Sequence, residues 1–242
     1  MAHALTKHVS SLSAWSCSPY HAEDEATRFA GMTNANNIVL YHHPFSRAAN
    51  VVWMLEELGV PYTLEYVDMG QGAHHTSEFH QKNRMGKLPT LVDGDVTVAE
   101  SAAIALYLAD RYSYGELAPK VDTPERGPYL RWILFAPSVV EPGCYAQASK
   151  WDYQPQSAGW GTYENMLATM EDAIGDGPWL LGERFSMADV VFGGTVRYML
   201  RFGMLEKRAA FVAYAERLEA RPAAIASAAK NAAIVQEHKL GG

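Results

Sequence analysis

Cysteine is scarce in this chain, with only Cys17 and Cys144 among 242 residues. Two thiols cannot build a disulfide framework, a four-thiolate zinc site or a CxxC redox motif, and such sparing use points to a reducing compartment, the cytoplasm. Excess positive charge is also missing. The 20 lysines and arginines face 27 acidic side chains, a formal charge of -7. Nucleic-acid binding rests on phosphate neutralisation, so this balance argues against it. Long apolar runs are absent as well: none approaches the ~20 residues of a bilayer-spanning helix. The first residues have neither the basic start nor the unbroken apolar stretch of a secretory signal.

What is present is average for a globular chain. Apolar residues make up 48% and charged residues 19%, enough hydrophobic surface to offset chain entropy. Residues 1–36 stand apart, mixing serine, histidine and acidic side chains without a period (SSLSAWSCSPYHAEDEATRF). They are expected to form a mobile N-terminal extension, with Met32 as an alternative start.

From Ile38 the pattern is regular. Ile38 to His42 is a short apolar run that reads as a buried strand. Arg47 to Leu58 carries Val51, Val52, Leu55 and Leu58 as a helical stripe, stopped by Gly59 and Pro61. Tyr62 to Val67 alternates and completes a βαβ unit with a parallel strand pair. Two further strands flank Asp93-Gly94, the dipeptide of a tight hairpin, and Glu100 to Tyr112 is a helix. This βαβ-then-ββα order fills residues 37–113. A linker at 114–124 follows, and 125–242 reads as all helical. Thr123-Pro124 is a helix-start signal. The helix after it buries Tyr129, Trp132, Ile133, Ala136 and Val140, with a kink expected at Pro137. Later helices fit Tyr163 to Ile174, Ser186 to Arg201 and Arg208 to Arg221, with an alanine-rich coda to Gln236. Ser186 and Asp189 have capping-box spacing, a structural signal.

Three segments carry a resemblance: LYHHPFSRAANVVWMLEELGVPY (40–62), MGKLPTLVDGDVTVAESAAIALYLADRY (85–112) and WLLGERFSMADVVFGG (179–194). In this order they resemble cytosolic glutathione transferases, and within them the bacterial group with a serine after the first strand. The resemblance implies a thioredoxin-like N-terminal domain followed by an all-helical C-terminal domain, with glutathione as co-substrate and no other cofactor. It makes Ser46 the catalytic residue, stabilising the glutathione thiolate. A hydroxyl donor and the positive end of a helix dipole both favour thiolate over thiol, while the same serine also serves as a helix cap. Leu88 and a cis Pro89 would present backbone groups to the tripeptide's cysteine. Lys87 would meet its glycine carboxylate. Glu100 and Ser101 would take the γ-glutamyl end at a helix start.

The resemblance further implies a homodimer and an apolar electrophilic second substrate. Trp132, Phe135, Val139 and Tyr145 are candidates to line its pocket, or are plain core. The alternative is a non-catalytic glutathione-binding or protein-interaction member of the fold. A thiol reductase would want cysteine at position 46. No metal site is expected at His42-His43, since neighbours on a strand point to opposite faces, nor at His74-His75, where no acidic-histidine spacing supports one.

Overall fold

Four strands form one mixed sheet in the order β2-β1-β3-β4: β1 (Ile38–His42), β2 (Tyr62–Tyr66), β3 (Thr90–Asp93) and β4 (Val96–Ala99). The computed structural model describes residues 38–175 and 177–241; the N-terminal extension with Cys17 lies outside the described residues. β1 runs parallel to β2 and antiparallel to β3, with Tyr41 opposite Thr90 and Thr90 opposite Ala99. The hairpin turn sits one residue later than the Asp93-Gly94 signal suggests. Asp93 pairs with Val96, so Gly94 (φ 59°) and Asp95 make the turn. Asp93 stays in the strand because its buried carboxylate accepts from the Tyr107 hydroxyl at 2.9 Å and from Arg111 at 3.1 Å.

The helices are α1 (Ala48–Leu58), α2 (Ser77–Lys82), α3 (Ser101–Tyr112), α4 (Arg126–Phe135), α5 (Glu141–Ala148), α6 (Tyr163–Ile174), α7 (Met187–Arg201), α8 (Ala209–Glu219) and α9 (Pro222–Glu237). The thioredoxin-like β/α half is thus followed by a helical half. α4 starts later than Thr123-Pro124 signals, because the Thr123 hydroxyl donates to Lys120 O at 2.8 Å. Its first residue is pinned instead by the Arg126 guanidinium, which reaches both Asp110 oxygens at 2.6 and 2.7 Å. Around Pro137 the helix widens into a π-helical stretch, Ala136–Val140, where a missing N–H breaks the regular ladder. α5 follows directly, a separate helix that the sequence pattern does not resolve. The alanine-rich coda is itself the 16-residue helix α9.

Two features fix the core. Asp189 closes the capping box at the start of α7, accepting from Ser186 N at 2.9 Å, Leu180 N at 2.8 Å and the Tyr214 hydroxyl at 2.9 Å. Burial pushes its carboxyl above the usual range while these donors pull it back. The second feature is α1, on which no residue is exposed. β1, α3, α7 and α9 all pack on it. α7 comes close at Gly194, where a Cβ would collide with the Asn50 amide, and Asn50 donates to Val190 O at 3.1 Å.

α9 is latched onto α1 and the sheet by polar contacts. Arg221 meets both oxygens of Glu57 at 2.7 and 2.8 Å, Lys230 pairs with Glu56, and Asn231 Oδ1 lies 2.7 Å from His42 Nε2. His42 is fully buried, and that burial lowers its pKa from 6.5 to about 4, with the Asn231 bond opposing the shift and neighbouring His43 adding to it. Between those two values the unfolded chain carries a proton the folded chain refuses. His42 therefore lets the fold keep its full stability above pH 6.5 and subtracts progressively as pH falls towards about 4. At 1.36 kcal/mol per unit, the total is on the order of 3 kcal/mol. Urea midpoints recorded across this range should fall with pH in the native chain and fall less in His42→Gln. Equal slopes for the two would contradict a buried neutral imidazole.

Candidate functional site

The sheet brings the separated sequence segments to one place. Ser46 follows the C-terminal end of β1, which ends at His42. β3 is antiparallel to β1, so Leu88 and Pro89 lead into it at that same end. β4 is antiparallel to β3 and so delivers Glu100 and Ser101 there too. Strand direction thus puts Lys87, Leu88, Pro89, Glu100 and Ser101 at the same end of the sheet as Ser46.

Ser46 stands at the entrance to α1. Its hydroxyl accepts from Ala48 N at 3.1 Å and donates to His43 O at 2.8 Å. The first bond replaces a missing partner at the helix start. The second holds the proton, but His43 O also accepts Ser46 N at 3.0 Å. The hydroxyl can therefore turn its proton to an incoming anion without orphaning that carbonyl.

The Leu88-Pro89 peptide is cis. Among the described residues neither the N–H nor the C=O of Leu88 has a partner. The turn before it is held by residues the sequence reading misses: Asn83 Nδ2 donates to Lys87 O at 3.0 Å, and the Thr90 hydroxyl donates to the same oxygen at 3.1 Å. Lys87 itself is exposed. Glu100 adopts φ 68° and ψ 121°, a left-handed backbone that costs a non-glycine residue ~1–3 kcal/mol. Its neighbours impose that shape: Ala99 is fixed opposite Thr90 in the sheet, and Glu100 O accepts Ile104 N at 2.9 Å in the first turn of α3.

Ser46 and Ser101 line one cavity of about 1310 Å³, whose walls come from α1, α7, α8 and α9. Lys87, Leu88, Pro89 and Glu100 are not among its lining residues. Of the pocket residues expected from sequence, Trp132, Phe135, Val139 and Tyr145 do not line it; Pro137 and Glu141 do. Trp132 packs instead on Phe135 and Phe192. Tyr41 faces α2, its ring against Phe79. Cys144 is buried, which pushes its thiol up to about 12 with help from the Glu141 charge, so it stays protonated and unreactive. His42 turns to Asn231 while His43 turns to Phe45 and Tyr66, so the two rings do not converge.

Arg47, next to the serine, is the residue sequence reasoning overlooks. Its guanidinium takes both Glu141 oxygens at 3.0 Å and lies 3.8 Å from the centre of the Tyr198 ring. It thereby ties the start of α1 to α5 and α7. Only its position after Ser46 hinted at this, because its partners lie some 94 and 151 residues away along the chain.

Comparison with known proteins bears on this arrangement. The family profile described as "Glutathione S-transferase, N-terminal domain" matches residues 36–110, and "Glutathione S-transferase, C-terminal domain" matches 154–226. Human glutathione S-transferase theta-2 is 30% identical over 178 residues, covering 67% of this chain and 72% of that protein. Glutathione S-transferase 3 of Schizosaccharomyces pombe is 36% identical over 109 residues, 45% of each chain. Among solved structures, glutathione transferase URE2P6 from Phanerochaete chrysosporium, in complex with oxidized glutathione, superposes with a TM-score of 0.69 at 25% identity. That match covers 84% of this chain and all of the other.

The Arg47 clamp yields a stability test. Its partners are roughly a quarter exposed, at 27% and 24%, so solvent screens the pair and about 1 kcal/mol is expected from it. Glu141→Gln should lower the unfolding free energy by that amount, read as a lower denaturant midpoint. Arg47→Lys should do the same, since an ammonium cannot form the paired bonds. Unchanged midpoints in both would show that the clamp adds no stability.

Proposed function

Because the chain belongs to the glutathione S-transferase family, we propose that it binds glutathione at the end of β1 and transfers the tripeptide's sulfur to an electrophilic small molecule. The observation that carries this reading is the shared cavity of Ser46 and Ser101, at the sheet end where the Leu88 backbone keeps open hydrogen-bonding groups. A tripeptide laid across that edge pairs its cysteine backbone with Leu88. Its γ-glutamyl carboxylate meets the Ser101 end of α3, and Glu100 faces the ammonium. Lys87 meets the glycine carboxylate. The sulfur then points at Ser46.

The chemistry follows from that placement. A free thiol has a pKa near ~8.5 and is mostly protonated at neutral pH. The Ser46 hydroxyl and the positive end of α1 stabilise its anion. The thiolate attacks the electrophilic carbon and the leaving group departs. Holding both reactants in one cavity supplies proximity, and no covalent enzyme intermediate is needed. A detoxifying role in the cytoplasm agrees with this reading, and no helix among the described residues is long and apolar enough to cross a membrane. A homodimer is part of the proposal: α4 turns Leu134 outward, 50% exposed. Light scattering should give twice the 26.7 kDa chain mass; a monomer at micromolar concentration would refute the pairing.

Ser46→Ala is the deciding experiment. A hydrogen bond to a charged group contributes roughly 1.5–3 kcal/mol, and each 1.36 kcal/mol of barrier is about tenfold in rate. Turnover should fall about ten- to a hundredfold while glutathione still raises the melting temperature, and the pH–rate profile should move to higher pH. Full rate with an unchanged profile would reduce Ser46 to a helix cap. Glutathione-induced stabilisation with no turnover in the native chain would favour the non-catalytic binder.

A further inference from the structure

The cavity that holds Ser46 carries charged side chains as well as apolar surface. Four cations line it, Arg47, Arg197, Arg201 and Lys207, in a chain whose net charge is -7. Two are already neutralised: Arg47 by Glu141, and Arg197 by Glu219 at 3.0 Å. Arg201 and Lys207 have no carboxylate partner among the described residues, and both are exposed to solvent. The remaining lining carboxylate, Glu216, lies in α8, about two turns and ~10 Å along the axis from the Lys207 end. Within the lining these two cations have no paired carboxylate, and Glu206, the residue before Lys207, turns to Arg208 at 3.2 Å.

Aromatic surface lies between that end and the serine. Arg47 adjoins Ser46 and carries the Tyr198 ring on its guanidinium. One turn further along α7 come Arg201 and Phe202, with the Tyr198 and Phe202 rings 4.6 Å apart. Phe45 and Phe202 expose more than half of their surface, 54% and 58%. A flat ring that meets these faces with its reactive carbon towards Ser46 places a substituent on its far side near the two free cations.

We propose that the preferred second substrate is an aryl electrophile bearing an anionic group, a carboxylate or sulfonate, with Arg201 and Lys207 as its specificity determinants. This rests on the transferase reading above and replaces a purely apolar second substrate with an amphipathic one. For an aryl chloride, the glutathione thiolate adds at the carbon bearing chlorine. The C–S bond forms, the C–Cl bond breaks, chloride leaves with the bonding pair, and the thiol proton goes to solvent. No oxidant or reductant is involved.

The test compares chlorodinitrobenzene with its carboxylated analogue, chlorodinitrobenzoate, each rate divided by the uncatalysed rate with glutathione. The native chain should favour the anion in kcat/KM by about fivefold, the scale two exposed ion pairs supply. Raising the salt to about 1 M, where the Debye length is ~3 Å, should erase most of that preference. The double variant Arg201→Gln, Lys207→Gln should bring the ratio towards one. Calorimetry with dinitrobenzoate, which has no leaving group, separates the two readings on glutathione-loaded protein. Binding that is lost in the double variant, without turnover of either chloride, would overturn the transferase reading and keep the anion site. An anion-to-neutral ratio unchanged by the double variant, or no dinitrobenzoate binding, would overturn the proposal.

Discussion

Helix α1 has to be covered on every side, and much of the remaining architecture serves that requirement. Its apolar residues Val51, Val52, Trp53, Met54 and Leu55 are essentially without solvent contact. Its polar residues are enclosed as well, and each requires a partner, since an unsatisfied buried polar group costs ~1–3 kcal/mol. Asn50 donates to α7, Glu56 pairs with Lys230 of α9, and Glu57 takes both Arg221, the residue before α9, and the Trp53 indole N–H at 2.8 Å. The sheet covers one side of α1, and helices from the C-terminal half supply the others. The two halves therefore share this helix as a common core element. Its first turn, where Ser46 stands, is held from both.

Geometry at the site follows from that rigidity. The end of β1 is fixed by neighbours on both edges, and the segments entering β3 and leaving β4 have no freedom to sit elsewhere. Asn83 and Thr90 spend their side chains on a single carbonyl, that of Lys87. Two donors on one oxygen restrict the peptide before Leu88 more than either would alone. The left-handed Glu100 belongs to the same logic. Strain of that kind survives only where the flanking structure over-determines the backbone, and here Glu100 is the single residue between the end of β4 and the start of α3 and must make the whole turn. A backbone edge fixed this way presents its open groups to a ligand without first having to order them.

Much of this was legible in the sequence, for a physical reason. The strand runs, the α1 stripe, the stop at Gly59 and the Ser186–Asp189 capping box are local signals, decided by residues within a few positions of each other. The three segments that carry the family resemblance lie at the sheet end and the capping box, so the fold and the placement of Ser46 and Ser101 could be anticipated. What local signals could not give were partners far along the chain. Asp93 reads as a turn residue until Tyr107 and Arg111 claim its carboxylate. Thr123 reads as a cap until Lys120 takes its proton. Arg47 carries no signal in the sequence, and only Glu141 and Tyr198, distant along the chain, give it a place. Trp132 reads as core or pocket wall, and its packing on Phe192 settles it as core.

The alanine-rich C-terminal helix shows the same limit and a consequence of it. Its composition offers little large apolar surface, which is why it reads as a coda. In the fold its inward residues include Ala228, Ala232 and Val235, which line the cavity. Small side chains at those positions cannot fill the space between α9 and the helices opposite, so the volume stays open. They also contribute little burial, and burial scales with the apolar area removed from water. The attachment of α9 must then come from elsewhere. Arg221, Lys230 and Asn231 provide it, and their partners Glu57, Glu56 and His42 all belong to α1 or β1. An open wall held by polar latches gives a cavity whose size can change with the small residues while its position relative to Ser46 does not. The size of the cavity and its position thus rest on different residues of the same C-terminal segment.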